Sequence, residues 1–159
     1  MSLLAVALLL PLLVILAGQL GAFGGTPPSD LGVREGKLKA PSATPNSVTS
    51  QAALWPQHPM AARAAIAPLR YSGDGRAAMR RLADTLRAME RTTVVRDEPG
   101  YLYAQCRTKL LRFTDDVEFW LDESAGVIQV RSASRIGRGD RGVNRARVEA
   151  IRQQAGFGS

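Results

Sequence analysis

Acidic, basic and hydroxyl side chains crowd the C-terminal half of this chain: Asp115, Asp116 and Glu118 in "FTDDVEFWLD", then Arg131, Ser132, Ser134 and Arg135 in "VRSASR", then Asp140, Asn144 and Arg145. Asp116 and Glu118 point to one face of a strand, a spacing that could hold a metal or share a proton. A metal would recruit a third or fourth oxygen ligand, and Asp122 lies about two residues too far along for compact coordination. Pairing with Arg131 and Arg135 across a hairpin accounts for both acids more simply. Arg131, Ser132, Ser134 and Arg135 run along the end of a strand, and the loop after them opens into a helix start beside Asn144 and Arg145. Free N–H groups and the helix dipole favour an anion there. These six residues are the candidate anion or ligand site. Asp116, Glu118 and Asp140 are candidate structural ion pairs or acids, Asp140 as a helix cap or an arginine partner. No catalytic residue, metal or cofactor is assigned.

Two familiar motifs overlap in "SRIGRGDRGVNR" (134–145). Gly137, Gly139 and Gly142 spell G-x-G-x-x-G, but a dinucleotide site also needs a returning parallel strand, and too little chain follows. Arg138-Gly139-Asp140 spells an adhesion tripeptide that arises readily in Arg-rich and Gly-rich loops. There is no G-x-S-x-G, H-E-x-x-H or P-loop, and the lone His58 sits in the proline-flanked "PQHP". A single Cys106 excludes an intramolecular disulfide and any multi-cysteine metal site.

The elements that position these residues follow from periodicity. Met79, Leu82, Ala83, Leu86 and Met89 keep helical spacing, with Ser72 or Asp74 placed to cap a helix over about 75–90. Thr92 to Arg96 is β-branched, Pro99-Gly100 forms a turn, and Leu102, Ala104 and Cys106 alternate with polar neighbours. Inward residues must face inward residues across a ladder, so Leu121 pairs with Ile128 and Phe119 with Val130, leaving Glu123 to Gly126 as the loop. That register sets Glu118 opposite Arg131, an exposed pair in a bare sheet contributing at most about 1 kcal/mol. Val148, Ile151 and Ala155 share a face of a last helix, with Arg145, Arg147 and Arg152 pointing elsewhere. The expected fold is α+β: an antiparallel four-stranded sheet with helices on one face, over residues 74–156.

Residues 24–73 are rich in Gly, Pro, Ser, Thr and Ala and read as a tether and extended arm able to lie on the domain. An arm carrying Trp55 would cover the sheet face that holds Tyr101, Tyr103 and Trp120, which could otherwise stack bases beside Arg131. The first charged residue is Asp30, so residues 1–23 are expected to form a transmembrane helix. No basic residue precedes the apolar run and no A-x-A site follows it, which favours an uncleaved anchor over a signal peptide. Arg34, Lys37 and Lys39 behind it would by charge bias hold the domain in the cytoplasm. Of 21 basic residues 18 are arginine, giving a net charge of +7 that suits an anionic partner.

The chain resembles a bacterial and plant family, domain of unknown function 1499, in "LGVREGKL", "TPNSVTSQA", "FTDDVEFWLD" and above all "VIQVRSASRIGRGDRGVNRARVEAIR". The resemblance spans 31–155. Many members carry cysteines near the places of Pro41 and Ser47, so no disulfide or metal role carries over. Membership implies a membrane-tethered or exported domain with no established activity, on the outer side of a bacterial inner membrane. The expected function is a non-enzymatic, single-pass, membrane-anchored domain of the cell envelope that binds a protein partner or an anionic small ligand. Two alternatives are a cytoplasm-facing nucleic-acid binder using an Arg-rich face and an unrecognised enzyme using the acids and arginines.

Overall fold

The computed structural model describes residues 3–158, with side chains from residue 9 onward. One antiparallel sheet organises the domain, built from β1 (Ser47–Thr49), β2 (Leu69–Arg70), β3 (Thr92–Glu98), β4 (Tyr101–Arg107), β5 (Thr114–Asp122) and β6 (Val127–Ser134) in the order β1-β6-β5-β4-β3, with β2 also on β6. The register agrees with the arithmetic of inward residues: Leu121 faces Ile128, Phe119 faces Val130 and Glu118 faces Arg131. The sheet has six strands rather than the expected four. The additional two come from the arm: Val48 pairs with Ser132 and Leu69 with Ile128. They satisfy backbone groups along the outer edge of β6, which would otherwise invite pairing with another chain.

Helices α3 (Gly75–Ala88) and α4 (Val143–Gln154) pack on one face of the sheet, after the N-terminal α1 (Leu3–Gln19) and the short α2 (Ala61–Ala64). Asp74 caps α3 by accepting from the Arg76 N–H at 2.9 Å. Met79, Leu82 and Leu86 of α3, with Val148 and Ile151 of α4, form a continuous core with Phe119, Ile128, Val130 and Leu102. Arg152 does not point away from this core as its spacing suggested. It is buried, and its guanidinium donates to the carbonyls of Ala67, Pro68 and Gly158, tying α4 to the chain on either side of it.

The stretch 1–23 is where a transmembrane helix is expected. Its helix, α1, has 17 residues, and among the described residues no helix is long and apolar enough to cross a membrane. The helix stops because Gly21 adopts φ +92°, with the Ala22 N–H reaching back to Ala17 O and the Gly21 N–H to Gly18 O. This is the paired hydrogen-bond pattern of a glycine-terminated helix. The end of α1 is then seated on the β4–β5 loop. Gln19 Nε2 donates to Leu110 O at 2.8 Å, and a Cβ added at Gly18 would lie 2.7 Å from Leu111 O. Only a glycine permits that approach.

Candidate anion-binding site

Strand alternation brings Tyr101, Tyr103, Asp116, Glu118 and Arg131 to the sheet face opposite the helices, and Arg135 continues that parity just past β6. The arm covers this face. Leu38 is buried against Tyr101 and Tyr103, with Leu31, Val33 and Trp120 packed around them, while Trp55 lies at the rim beneath Lys37. Most hydrogen bonds that bind the arm to the charges come from its backbone. The Gly32 N–H donates to Glu118 Oε1 at 2.7 Å, and Ala40 O accepts from Arg131 Nε at 3.1 Å.

Two ion pairs lie beneath the arm, and they differ in quality. Arg135 grips Asp116 with two parallel bonds of 2.8 and 2.7 Å, and the Tyr103 hydroxyl donates to the same carboxylate at 2.5 Å. This bidentate arrangement is the strong form of an arginine–carboxylate pair. The side-chain hydrogen bond to Asp116 raises the Arg135 guanidinium above its ordinary value. Glu118 and Arg131 fit less closely. Glu118 is 0 % exposed, its Oε1 accepts from Gly32 and from the Tyr101 hydroxyl at 2.8 Å, and its Oε2 has no hydrogen-bond partner. Arg131 Nη1 stands 3.8 Å away from that Oε2, beyond hydrogen-bond range. Burial pushes the Glu118 carboxyl up against the opposing pull of Gly32, Tyr101 and Arg131, and burial likewise lowers Arg131. Tyr101 is driven far up by burial and by the neighbouring carboxylate. Both pairs are buried rather than exposed, and desolvation dominates for Glu118 and Arg131, whereas the bidentate hydrogen bond outweighs it for Arg135.

Arg131 is 3 % exposed, and its one hydrogen bond among the described residues is the bond from Nε to Ala40. Its guanidinium borders a cavity of about 360 Å³ between the arm and the end of β6, shared with Lys39, Ser42, Asp116, Ser134 and Arg135. Three cations and one carboxylate therefore line it; Arg135 holds the carboxylate, and Lys39 pairs with Asp30 at 2.6 Å on the arm. The cavity offers charged N–H donors, and Asp116 is engaged on both oxygens.

The remaining candidate residues lie elsewhere. Ser132 and Asn144 meet on the helix side of the sheet, the Ser132 hydroxyl donating to Asn144 Oδ1 at 2.5 Å. Asn144 is 0 % exposed and its Nδ2 reaches Asn46 O, Ser134 Oγ and Asp140 Oδ2. Asp140 also accepts from the Gly142 and Asn144 N–H groups, so it closes the N-terminus of α4. Burial opposes its charge, but those N–H bonds outweigh it and hold Asp140 below its ordinary value. With its carboxylate occupied, the Arg138-Gly139-Asp140 tripeptide does not present a free acid. The helix terminus is thus filled by the chain itself, and Arg145 stands apart, donating to Arg63 O and Ala65 O. Of the six candidates, only Arg131, Ser134 and Arg135 border the cavity.

Sequence reasoning missed Lys39 and two buried pairings. Arg147 is ion-paired with Asp115 on the helix side, and its Nη1 also donates to Asn144 Oδ1 at 2.8 Å. Asp115 carried the signal in its parity, which sets it on the side opposite Asp116. Lys39 gave none, since its position depends on how the arm lies. Among the described residues no three of His, Cys, Asp and Glu gather as a metal site. The sheet ladders are all antiparallel, so the G-x-G-x-x-G spacing has no parallel strand to serve.

No curated protein and no solved structure matches the chain. Residues 37–155, well over half of its length, match the family described as "Protein of unknown function (DUF1499)". That span contains β1 to β6, both core helices and every residue bordering the cavity except Thr26 and Pro28. With the final block from Val127 to Arg152 falling wholly inside the match, the chain belongs to the DUF1499 family.

Proposed function

We propose that this is a non-catalytic, membrane-associated binding domain whose cavity takes a phosphate or carboxylate group. One observation carries the reading: a guanidinium, Arg131, is buried beside Lys39 with most of its N–H groups unmatched and facing open space. These N–H groups meet the cavity rather than protein acceptors, and an anion there would receive charge-assisted hydrogen bonds. Membrane association is supported by α1, whose Leu9, Leu10, Leu12, Leu13 and Leu16 are exposed and uncovered by any part of the described chain. Such a surface suits the apolar layer of a bilayer, and the family resemblance favours the bacterial cell envelope.

The two other function classes have less support. Stacking of nucleic-acid bases needs accessible aromatics, and Tyr101 and Tyr103 are buried with both hydroxyls bound to carboxylates. Proton transfer by Asp116 or Glu118 needs an acid presented to a substrate, whereas Asp116 is held on both oxygens by Arg135 and Glu118 is enclosed beneath the arm.

Calorimetric titration of the full chain in detergent tests the proposal with inorganic phosphate, succinate and short-chain phosphatidylglycerol. Binding of at least one is expected, weakened roughly tenfold by Lys39→Ala and unchanged by Arg145→Ala. Preference for the lipid over free phosphate would identify a headgroup site. No heat of binding with any of the three would overturn the anion-site reading.

A further inference from the structure

We infer that the end of the sheet where α1 departs is a docking surface for an anionic phospholipid bilayer. It goes beyond the anion cavity and rests on the proposal that α1 lies in the membrane. The end of α1 is attached there: Gln19 donates to the Lys109 and Leu110 carbonyls, and the Phe23 and Phe113 rings stand 5.3 Å apart. A bilayer that contains α1 therefore reaches the β4–β5 loop within a few residues.

Two neighbouring loops form that surface, the β4–β5 connection and the β6–α4 joint, linked by the bond from the Arg135 N–H to Thr114 O. Their apolar tips have no cover from the described chain: Leu110 is 58 % exposed, and Ile136 and Val143 are 42 % each. Around them Arg107, Lys109, Arg138 and Arg141 are exposed. The one acid in either loop, Asp140, is turned inward onto α4. Between the loops lies a largely apolar recess of about 250 Å³, lined by Phe113, Ile136, Arg141 and Val143, with Asp115 already paired with Arg147 and Asp140 already bonded to the start of α4. Apolar tips inside a ring of cations match the depth profile of a bilayer interface, where aliphatic groups enter the acyl boundary and Lys or Arg heads remain with the phosphates. Basic residues near an anionic surface are held there by its negative potential. An acidic protein would complement the cations, but the immediate neighbour, α1, is apolar as far as Gln19 and favours lipid.

The test uses the full chain with a bimane fluorophore on Leu110→Cys, Leu13→Cys or Leu54→Cys, the wild type serving as blank because Cys106 is buried. In vesicles of phosphatidylcholine mixed with phosphatidylglycerol, iodide quenching of the Leu110 and Leu13 labels is expected to fall severalfold while the Leu54 label stays accessible. In phosphatidylcholine alone, or with Lys109→Glu, the Leu110 label should return to water and the Leu13 label should not. A Leu110 label as accessible as Leu54 while Leu13 is shielded would overturn the docking surface and leave the membrane reading intact. Accessibility of the Leu13 label would overturn both. Equal shielding of Leu110 in lipid-free detergent would indicate contact between copies of the chain and would also overturn the inference.

Discussion

Glu118 and Arg131 are direct cross-strand partners, yet Oε2 of the one and Nη1 of the other stop at 3.8 Å, with both side chains out of water. Removing either partner leaves a charge in a dry site. Arg131→Ala is expected to destabilise the protein by about 3–5 kcal/mol, against under about 1 kcal/mol for the exposed pairing of Arg96 with Glu98. Chemical denaturation of both variants in the same detergent checks the contrast.

The same pair sets a pH dependence. Burial holds the folded Glu118 carboxyl above its ordinary value of 4.5, so folded and unfolded chains both bind its proton at lower pH. As pH rises past 4.5 the unfolded chain releases its proton first, and stability declines until the pH reaches the folded value. Glu118→Gln removes this decline, so the thermal midpoint of the wild type should fall relative to the variant between pH 4.5 and neutrality. A constant difference across that range would contradict the raised carboxyl.

Asn144 ties α4 to three other segments through bonds to Ser132 and Ser134 of β6, Asn46 O before β1, and Asp140 in the β6–α4 joint. Asn144→Ala strands several buried donors and acceptors at once, and a loss of about 3 kcal/mol or more is expected. Arg145→Ala, one residue away and exposed, should cost under about 1 kcal/mol. Urea midpoints of the two variants would establish the order.

Gly18→Ala is expected to lift α1 from the β4–β5 loop, because the added methyl would collide with the backbone of Leu111. Lys109 and the Arg112 bond would then become more accessible to trypsin. Cleavage severalfold faster than in wild type is the expected reading, and an unchanged rate would contradict the seat of α1 on this loop.

An extracytoplasmic domain is the placement we propose from the family resemblance, whereas the charge bias of Arg34, Lys37 and Lys39 favours the inside. Protease added to intact spheroplasts should digest the domain under the first assignment. Complete protection would reverse it.

The long strands were legible because apolar parity constrains their register: Val117, Phe119 and Leu121 can face inward only one way against Ile128 and Val130. Helix α3 was legible from its apolar stripe. The strands β1 and β2 were not, since three residues in one and two in the other cannot display a period. Their pairing is decided by the free edge of β6, a property of the finished sheet. Parity also carried more than was drawn from it. Arg131 and Ser132 are adjacent within β6 and serve opposite faces, so these two could not share one site, whereas Ser134 at the strand end borders the cavity with Arg131 and Arg135. Burial of Glu118 and Arg131 was hidden for a different reason: the atoms that enclose them, Gly32 N and Ala40 O, are backbone atoms for which no side chain testifies. The early stop of α1 was written in Gly21, but a lone glycine in an apolar run does not reveal which φ it will take.

Those backbone contacts bear on where the folding unit starts. The family match begins at residue 37, but Glu118 depends on Gly32, and Arg135 reaches the carbonyls of Gly24 and Gly25. A fragment cut at the family boundary would release these charges from their partners while leaving every strand in place. Expression of this domain should therefore set the N-terminal boundary ahead of residue 24, and the retained segment must keep Leu31 and Val33, which pack on the covered sheet face, and Gly25, where a Cβ would meet Arg135.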